Sequence, residues 1–139
     1  MSVVRVLVVD DVEDWRRLIS SMLRAEPFEI IGEASDGLMA VELAQQLQPT
    51  VVLLDIGLPG LDGIKAGAGI RRVAPDAKIL FVSQESDPDI VRAALLLGAW
   101  AYVLKSDSAQ ELVEAIHTIF RGKKFVSCSL AGHGFLDGP

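Results

Sequence analysis

The sequence predicts a parallel α/β fold in which one sheet of five strands carries helices on both faces. Short apolar runs alternate five times with segments whose apolar residues recur at helical spacing. The run at residues 51–54 is apolar throughout and is bounded by turn residues, which is typical of a strand buried on both faces. The chain has 139 residues, which suits one domain.

The predicted elements alternate between strand and helix along the chain. Each strand is predicted from a β-branched or continuous apolar run, and each helix from apolar residues spaced three and four apart, except the third, which is placed by position. Pro27 and Pro49 end the first two helices. In order, we expect strand 3–9, helix 14–25, strand 28–34, helix 38–47, strand 51–54, helix 63–73, strand 78–82, helix 89–97, strand 101–104 and helix 108–121.

The last two helices carry specific boundary signals. Asp87 is expected to cap the fourth helix, with Pro88 at its first helical position. Gly98 is the expected residue at its C-terminal end. Ser108, followed three residues later by Glu111, fits a capping box at the start of the last helix.

Two further segments give expectations about surfaces and domain extent. Leu95, Leu96 and Leu97 are consecutive in the fourth helix, so at least one of them must be exposed. The segment after the last helix has no apolar period and is rich in glycine, so we predict a linker or a disordered end. The expected division is a domain at residues 1–122 and a tail at residues 123–139.

Composition excludes several classes of function. The net charge of −6 argues against direct nucleic-acid binding by this chain and against binding to anionic membranes. Cys128 is the only cysteine, which excludes an intrachain disulfide, disfavours a zinc site and suits the cytoplasm. No stretch approaches the ~18 apolar residues of a membrane span, and none resembles a signal peptide.

Polar side chains follow four of the predicted strands. They are Asp10 and Asp11, Asp55, Ser83 and Lys105, and in a parallel sheet they meet at one edge. Clustered carboxylates repel one another, and a magnesium ion would remove that cost. Taken singly, each residue has a plainer interpretation as a helix cap, a structural serine or a solvated lysine. Together they predict a phosphoryl-transfer site with a carboxylate nucleophile.

These motifs also carry a resemblance to a known family. The pair DD at 10–11, the segment DIGLPGLDG at 55–63, Ser83 before an acidic helix start, and GAWAYVLK at 98–105 resemble the receiver domain of bacterial two-component response regulators. The resemblance spans residues 3–121. It implies a flavodoxin-like, doubly wound fold of five strands in the order 2-1-3-4-5.

The resemblance implies a role for each residue at this edge. Asp55 would accept a phosphoryl group from the phosphohistidine of a sensor histidine kinase. Mg²⁺ (or Mn²⁺) would be held by Asp11, Asp55 and the Gly57 carbonyl, with Asp10 acting through water. Lys105 and Ser83 would bind phosphoryl oxygens, and Tyr102 would be the switch aromatic. The protein would thus be a signalling switch rather than a turnover enzyme.

Two positions depart from the family pattern, and both border the expected phosphoryl pocket. Ser106 follows Lys105 where proline in a cis bond is common, and a cis bond before serine costs about 3–4 kcal/mol. Gln84 follows Ser83 where a small residue is usual.

The resemblance implies partners as well as a site. The fourth helix, fifth strand and fifth helix would signal to an output domain or a downstream protein, and a homodimer would use the same surface. The segment RGKKFVS at 121–127 resembles the exit toward an output domain in receivers that include LuxR-type regulators. We expect a single-domain receiver or a fragment, and favour a fragment because Leu130, Phe135 and Leu136 have no evident place to pack.

Three alternatives belong to other classes. A degenerate receiver would act only as a protein-interaction module, as the departures at Gln84 and Ser106 weakly suggest. A hydrolase of the haloacid dehalogenase kind would need a second aspartate two residues after the nucleophile, where this chain has Gly57. A flavodoxin-like cofactor protein is disfavoured because the acidic loop after the first strand would repel a cofactor phosphate.

Overall fold

The computed structural model describes residues 3–24 and 27–135, which form a parallel sheet flanked by helices. In chain order the elements are β1 Val4–Val9, α1 Glu13–Met22, β2 Phe28–Ala34, α2 Gly37–Leu47, β3 Val51–Leu54, α3 Gly63–Val73, β4 Lys78–Ser83, α4 Pro88–Leu96, β5 Ala101–Leu104, α5 Ser108–Phe120 and β6 Phe125–Val126. The strand order is β2-β1-β3-β4-β5-β6, and every neighbouring pair is parallel. The predicted fold class and the order of the first five strands are confirmed.

Two apolar layers form the core, one on each face of the sheet. Successive residues of a strand point to opposite faces, so β3 contributes Val52 and Leu54 to one layer and Val51 and Leu53 to the other. The first layer packs against α2, α3 and α4, and the second packs against α1 and α5. Because all four β3 side chains are buried, the strand needs the continuous apolar run seen in the sequence.

The register of the sheet brings the strand ends together. Val9 is paired with Leu54, and Leu54 is paired with Phe81. Ser83, at the end of β4, is paired with Leu104, the last residue of β5. The residues that follow β1, β3 and β5 therefore lie side by side with Ser83 at the carboxyl edge.

The boundary predictions for α4 and α5 have different outcomes. Asp87 caps α4 as predicted, because its side chain accepts a hydrogen bond from the Asp89 N–H at 2.8 Å. The capping box predicted for α5 is wrong. A 3-10 turn at Lys105–Asp107 precedes this helix, so Ser108 is already helical and its hydroxyl donates to the Lys105 carbonyl at 2.8 Å. Glu111 instead accepts from the Cys128 N–H at 3.0 Å.

Residues 123–135 differ from the predicted linker. Phe125 and Val126 form β6 against Ala101 and Tyr102 of β5, and a 3-10 helix follows at Cys128–His133. The expectation of no regular structure is wrong for these residues, because a two-residue strand is too short to leave a periodic pattern. Leu130 is 2% exposed and Phe135 packs on the same apolar layer, so both have the place to pack that the sequence did not reveal. Leu136 lies outside the described residues.

The surface of α4 matches the expectation from its three leucines. Leu96 is 80% exposed, whereas Leu95 and Leu97 pack partly against the core. Within the described segments, no helix combines the length and the apolar character that a membrane crossing requires.

Candidate functional site

The predicted site residues converge on one cleft at the carboxyl edge of the sheet. The cleft has a volume of about 290 Å³. It is lined by Asp11, Val12, Asp55, Ile56, Gly57, Ser83, Gln84, Glu85 and Lys105. Asp10 and Tyr102 lie behind its walls and contact residues that line it.

Three carboxylates cluster at this cleft, two of them lining it and the third, Asp10, just behind it. Asp10 is 1% exposed and Asp55 is 6% exposed, whereas Asp11 is open to solvent. One oxygen from each lies within 4.8 Å of the others. The Val12 N–H donates to Asp10 Oδ1 at 2.9 Å. Burial raises the pKa of the Asp10 carboxyl above its usual range, although the hydrogen bonds from Lys105 and Val12 oppose that rise.

Lys105 places one ammonium group between two of the carboxylates. Its Nζ atom lies 2.7 Å from Asp10 Oδ2 and 3.1 Å from Asp55 Oδ2. Burial alone would lower the pKa of Lys105, but its hydrogen bond to Asp10 and the charge of Asp55 raise it overall. The ammonium therefore stays charged and offsets part of the negative charge. The departure at Ser106 does not displace this side chain from the site.

Ser83 and Tyr102 contact the same loop residue, Glu85. The Glu85 N–H donates to the Ser83 hydroxyl at 3.1 Å, and the Tyr102 hydroxyl donates to the Glu85 carbonyl at 2.7 Å. Tyr102 is fully buried and points inward, and its burial raises the pKa of the phenol. Gln84, the second departure from the family pattern, is exposed at the rim of the cleft.

Two further residues of α1 support the site and were missed from the sequence as supporting groups. The Arg16 guanidinium donates to the Asp10 carbonyl oxygen at 2.6 Å and to Glu33 at 2.9 Å. The Trp15 ring lies 4.9 Å from Lys105 Nζ. Their position in the first turn of the helix that follows the acidic pair places them near the site, but no local sequence pattern indicates the contacts that they make.

The donor set fits a hard divalent cation. Every side-chain donor of the three-carboxylate cluster is an oxygen, which is the preference of Mg²⁺ and Ca²⁺ rather than of softer metals. Oxygens bound to one Mg²⁺ lie about 2.0–2.1 Å from it, so carboxylates already within 4.8 Å need only a small approach to share one ion. Asp10, Asp11 and Asp55 could therefore bind a metal together.

Comparison with known proteins identifies the family. Residues 6–117 match the response regulator receiver domain. The chain belongs to this family. As a receiver domain, it has the phosphoacceptor function of a two-component system, and nothing in the comparisons favours the hydrolase or the interaction-only alternative.

Relatives of this receiver include regulators of the LuxR and NarL type. It is 39% identical over 130 residues to the transcriptional regulatory protein LiaR of Bacillus subtilis, covering 93% of this chain and 62% of that protein. The structure of a LuxR-family response regulator from Aurantimonas sp. SI85-9A1 is 34% identical and has a TM-score of 0.85. The match covers 95% of this chain and 95% of that chain.

A third relative is a structure solved with a phosphate mimic. The isolated receiver domain of RcsB from Salmonella enterica serovar Typhimurium, in the presence of the phosphomimetic BeF₃⁻, is 26% identical with a TM-score of 0.88. That match covers 95% of this receiver and 99% of the RcsB chain. The receiver spans 52% to 62% of the length of the curated relatives it matches.

Proposed function

We propose that Asp55 is the phosphoacceptor of this receiver and that its donor is the phosphohistidine of a sensor histidine kinase. The observation that carries the proposal is the position of Asp55 on the cleft floor, with the Lys105 ammonium 3.1 Å from one carboxylate oxygen. In the transfer, a carboxylate oxygen of Asp55 attacks phosphorus as the N–P bond breaks. The imidazole leaves with the electron pair of that bond, and an acyl phosphate remains.

The residues around Asp55 have complementary roles in this proposal. Asp11, Asp55 and the Gly57 carbonyl would hold Mg²⁺ (or Mn²⁺), with Asp10 acting through water. The bound cation would neutralise charge on the phosphoryl oxygens. Lys105 would bind one phosphoryl oxygen and the Ser83 hydroxyl another. The chain would undergo one transfer and slow self-dephosphorylation rather than act as a turnover enzyme.

The proposed switch runs through Glu85 to the α4–β5–α5 surface. Once phosphorylated, Asp55 would draw the Ser83 hydroxyl toward the phosphoryl group. The hydroxyl would then move away from the Glu85 N–H, from which it accepts a hydrogen bond at 3.1 Å. Tyr102 contacts the same residue at 2.7 Å, so the loop and the aromatic would move together. The exposed Leu96 lies on the surface that this movement would change.

Partners and location form part of the same proposal. The surface would signal to an output domain or a downstream protein, and would also support a homodimer. We propose no direct nucleic-acid or membrane binding by this acidic chain, and a cytoplasmic location supported by its single cysteine. The division into a receiver at residues 1–122 and a tail at 123–139 is retained, with the described part of the tail packed on the receiver.

The test of Asp55 is to weigh the protein after incubation with acetyl phosphate, with and without Mg²⁺. We expect a mass increase of one phosphoryl group that depends on Mg²⁺ and is absent in Asp55→Asn. Asp76→Asn is the matched control, since Asp76 is an exposed carboxylate in a turn outside the cleft. Equal labelling of Asp55→Asn and wild type would refute the assignment.

A further inference from the structure

Ser127 ties the segment after α5 to the end of β5. The residue is fully buried. Its N–H donates to the Tyr102 carbonyl at 2.9 Å, and its hydroxyl oxygen accepts from the Leu104 N–H at 2.8 Å. Both hydrogen bonds reach across more than twenty residues of sequence to the strand that leads into Lys105.

The Ser127 hydroxyl replaces a backbone carbonyl as hydrogen-bond acceptor at the point where the β5–β6 ladder ends. The Phe125 N–H donates to the Trp100 carbonyl at 3.1 Å, and the Ser127 N–H makes the equivalent bond two residues further along. The chain then turns into the 3-10 helix Cys128–His133, and the next β5 donor, the Leu104 N–H, is met by the Ser127 side chain instead of a carbonyl. Serine supplies an acceptor at this point that alanine lacks.

The peptide groups that precede Leu104 and follow Lys105 are thus each held by a serine hydroxyl. Ser127 accepts from the Leu104 N–H, and the Ser108 hydroxyl donates to the Lys105 carbonyl at 2.8 Å. Residue 106 is serine, so no proline ring fixes the backbone here. The two serine contacts therefore constrain the backbone on both sides of the position from which the Lys105 side chain extends.

We propose that Ser127 is a positioning residue for Lys105 and sets the rate of phosphotransfer from outside the cleft. This inference rests on the proposed role of Lys105 at Asp55. Without the hydroxyl, the buried Leu104 N–H has no acceptor and the end of β5 shifts to find one. Small misplacements of a reacting or charge-balancing group reduce rates steeply, so we expect Ser127→Ala to be phosphorylated roughly tenfold more slowly than wild type.

The experiment compares rates of phosphorylation by acetyl phosphate with Mg²⁺ in four proteins. These are wild type, Ser127→Ala, Ser127→Thr, which keeps a hydroxyl, and Ser129→Ala, which alters an exposed neighbouring serine. We expect only Ser127→Ala to be slow. The same pair of Ser127 variants is then made in a Lys105→Ala background, where the loss caused by Ser127→Ala should disappear because there is no ammonium left to position.

A second readout reports on Lys105 directly. Trp15 lies 4.9 Å from the ammonium, and the only other tryptophan is Trp100. In a Trp100→Phe background, the emission of Trp15 should change in Ser127→Ala and not in Ser129→Ala.

The outcomes separate this inference from the proposed function. If wild type is not labelled on Asp55, the proposed function fails. If wild type is labelled and Ser127→Ala keeps its rate, the positioning role is wrong. It is also wrong if Ser127→Ala lowers the phosphorylation rate by the same factor in the wild-type and the Lys105→Ala backgrounds. The residue would then act through general folding and not through Lys105.

Discussion

Asp10 carries a carboxylate whose charge is made unfavourable by burial. It is buried beside a second carboxylate, and its pKa is raised although Lys105 contacts it at 2.7 Å. The direction of that shift means that burial outweighs the attraction of the ammonium. Without a bound cation, the charged form of Asp10 therefore opposes folding.

At the residue scale, we predict that Asp10→Asn is more stable than wild type at neutral pH without Mg²⁺. A carboxyl whose pKa is raised on folding binds its proton more tightly in the native state. Its stabilising contribution is complete below 3.8, the ordinary pKa of an aspartate carboxyl, and is lost as the pH rises through the higher pKa of the folded state. Urea unfolding at several pH values should show the advantage of the variant fading in acid, and a variant weaker than wild type at pH about 7 would contradict the prediction.

Most residues of the site could be predicted because the fold places strand ends together. Asp55, Ser83 and Lys105 line one cleft, and Asp10 contacts Lys105 behind it, because each of the four ends or follows a parallel strand. Arg16 could not be assigned in the same way, since its contact with the Asp10 carbonyl depends on the path of the chain between β1 and α1. The supporting groups are fixed by tertiary geometry rather than by local pattern.

At the element scale, the β3–α3 junction is the tightest point near Asp55. Gly63 is the first residue of α3, capped by the Asp62 side chain, which accepts from the Lys65 N–H at 3.0 Å. A Cβ atom at Gly63 would overlap the Asp55 carbonyl oxygen and lie 2.6 Å from Ile56 Cα. These are backbone atoms, so the helix and the strand would have to separate.

Gly63→Ala is therefore predicted to lower the free energy of unfolding by roughly 1–3 kcal/mol, the usual cost of forcing extra atoms into a packed site. Gly57→Ala is the matched control, because a Cβ there meets no atom within 4 Å. We expect that control to stay within about 0.5 kcal/mol of wild type. Equal stability of the two variants in urea would show that the junction can relax.

Elements with a strong local signal were predicted, and those fixed by distant contacts were not. The four consecutive apolar residues of β3 predict a buried strand, and Asp87 followed by Pro88 predicts the start of α4. Strand β6 has two residues, and its existence depends on the free edge of β5. The capping box failed for a related reason, since the turn at Lys105–Asp107 shifted the start of α5.

At the scale of the whole molecule, the receiver has an excess of negative charge at the carboxyl edge of its sheet. Three carboxylates cluster at the cleft beside one ammonium that contacts two of them, and the chain carries a net charge of −6. Such a site gains most from a cation that binds the folded form alone. Global stability and metal binding should then be linked.

We predict that Mg²⁺ raises the unfolding free energy of wild type by about 2.7 kcal/mol at a hundredfold excess over its dissociation constant. Asp11→Asn should show a smaller gain at the same concentration, because Asp11 offers one of the three clustered carboxylates. Asp76→Asn should gain as much as wild type. Thermal unfolding with and without Mg²⁺ measures all three, and no Mg²⁺ effect on wild type would argue against a metal site.

The short strand β6 has a consequence for solubility. Its two residues cover the open side of β5, whose four side chains are all buried, and they are preceded by the exposed Lys123 and Lys124. A brief, lysine-flanked border strand is a common defence against sheets joining edge to edge. We expect a shortened chain ending at residue 122 to expose the edge of β5 and to aggregate more readily than the chain that keeps β6.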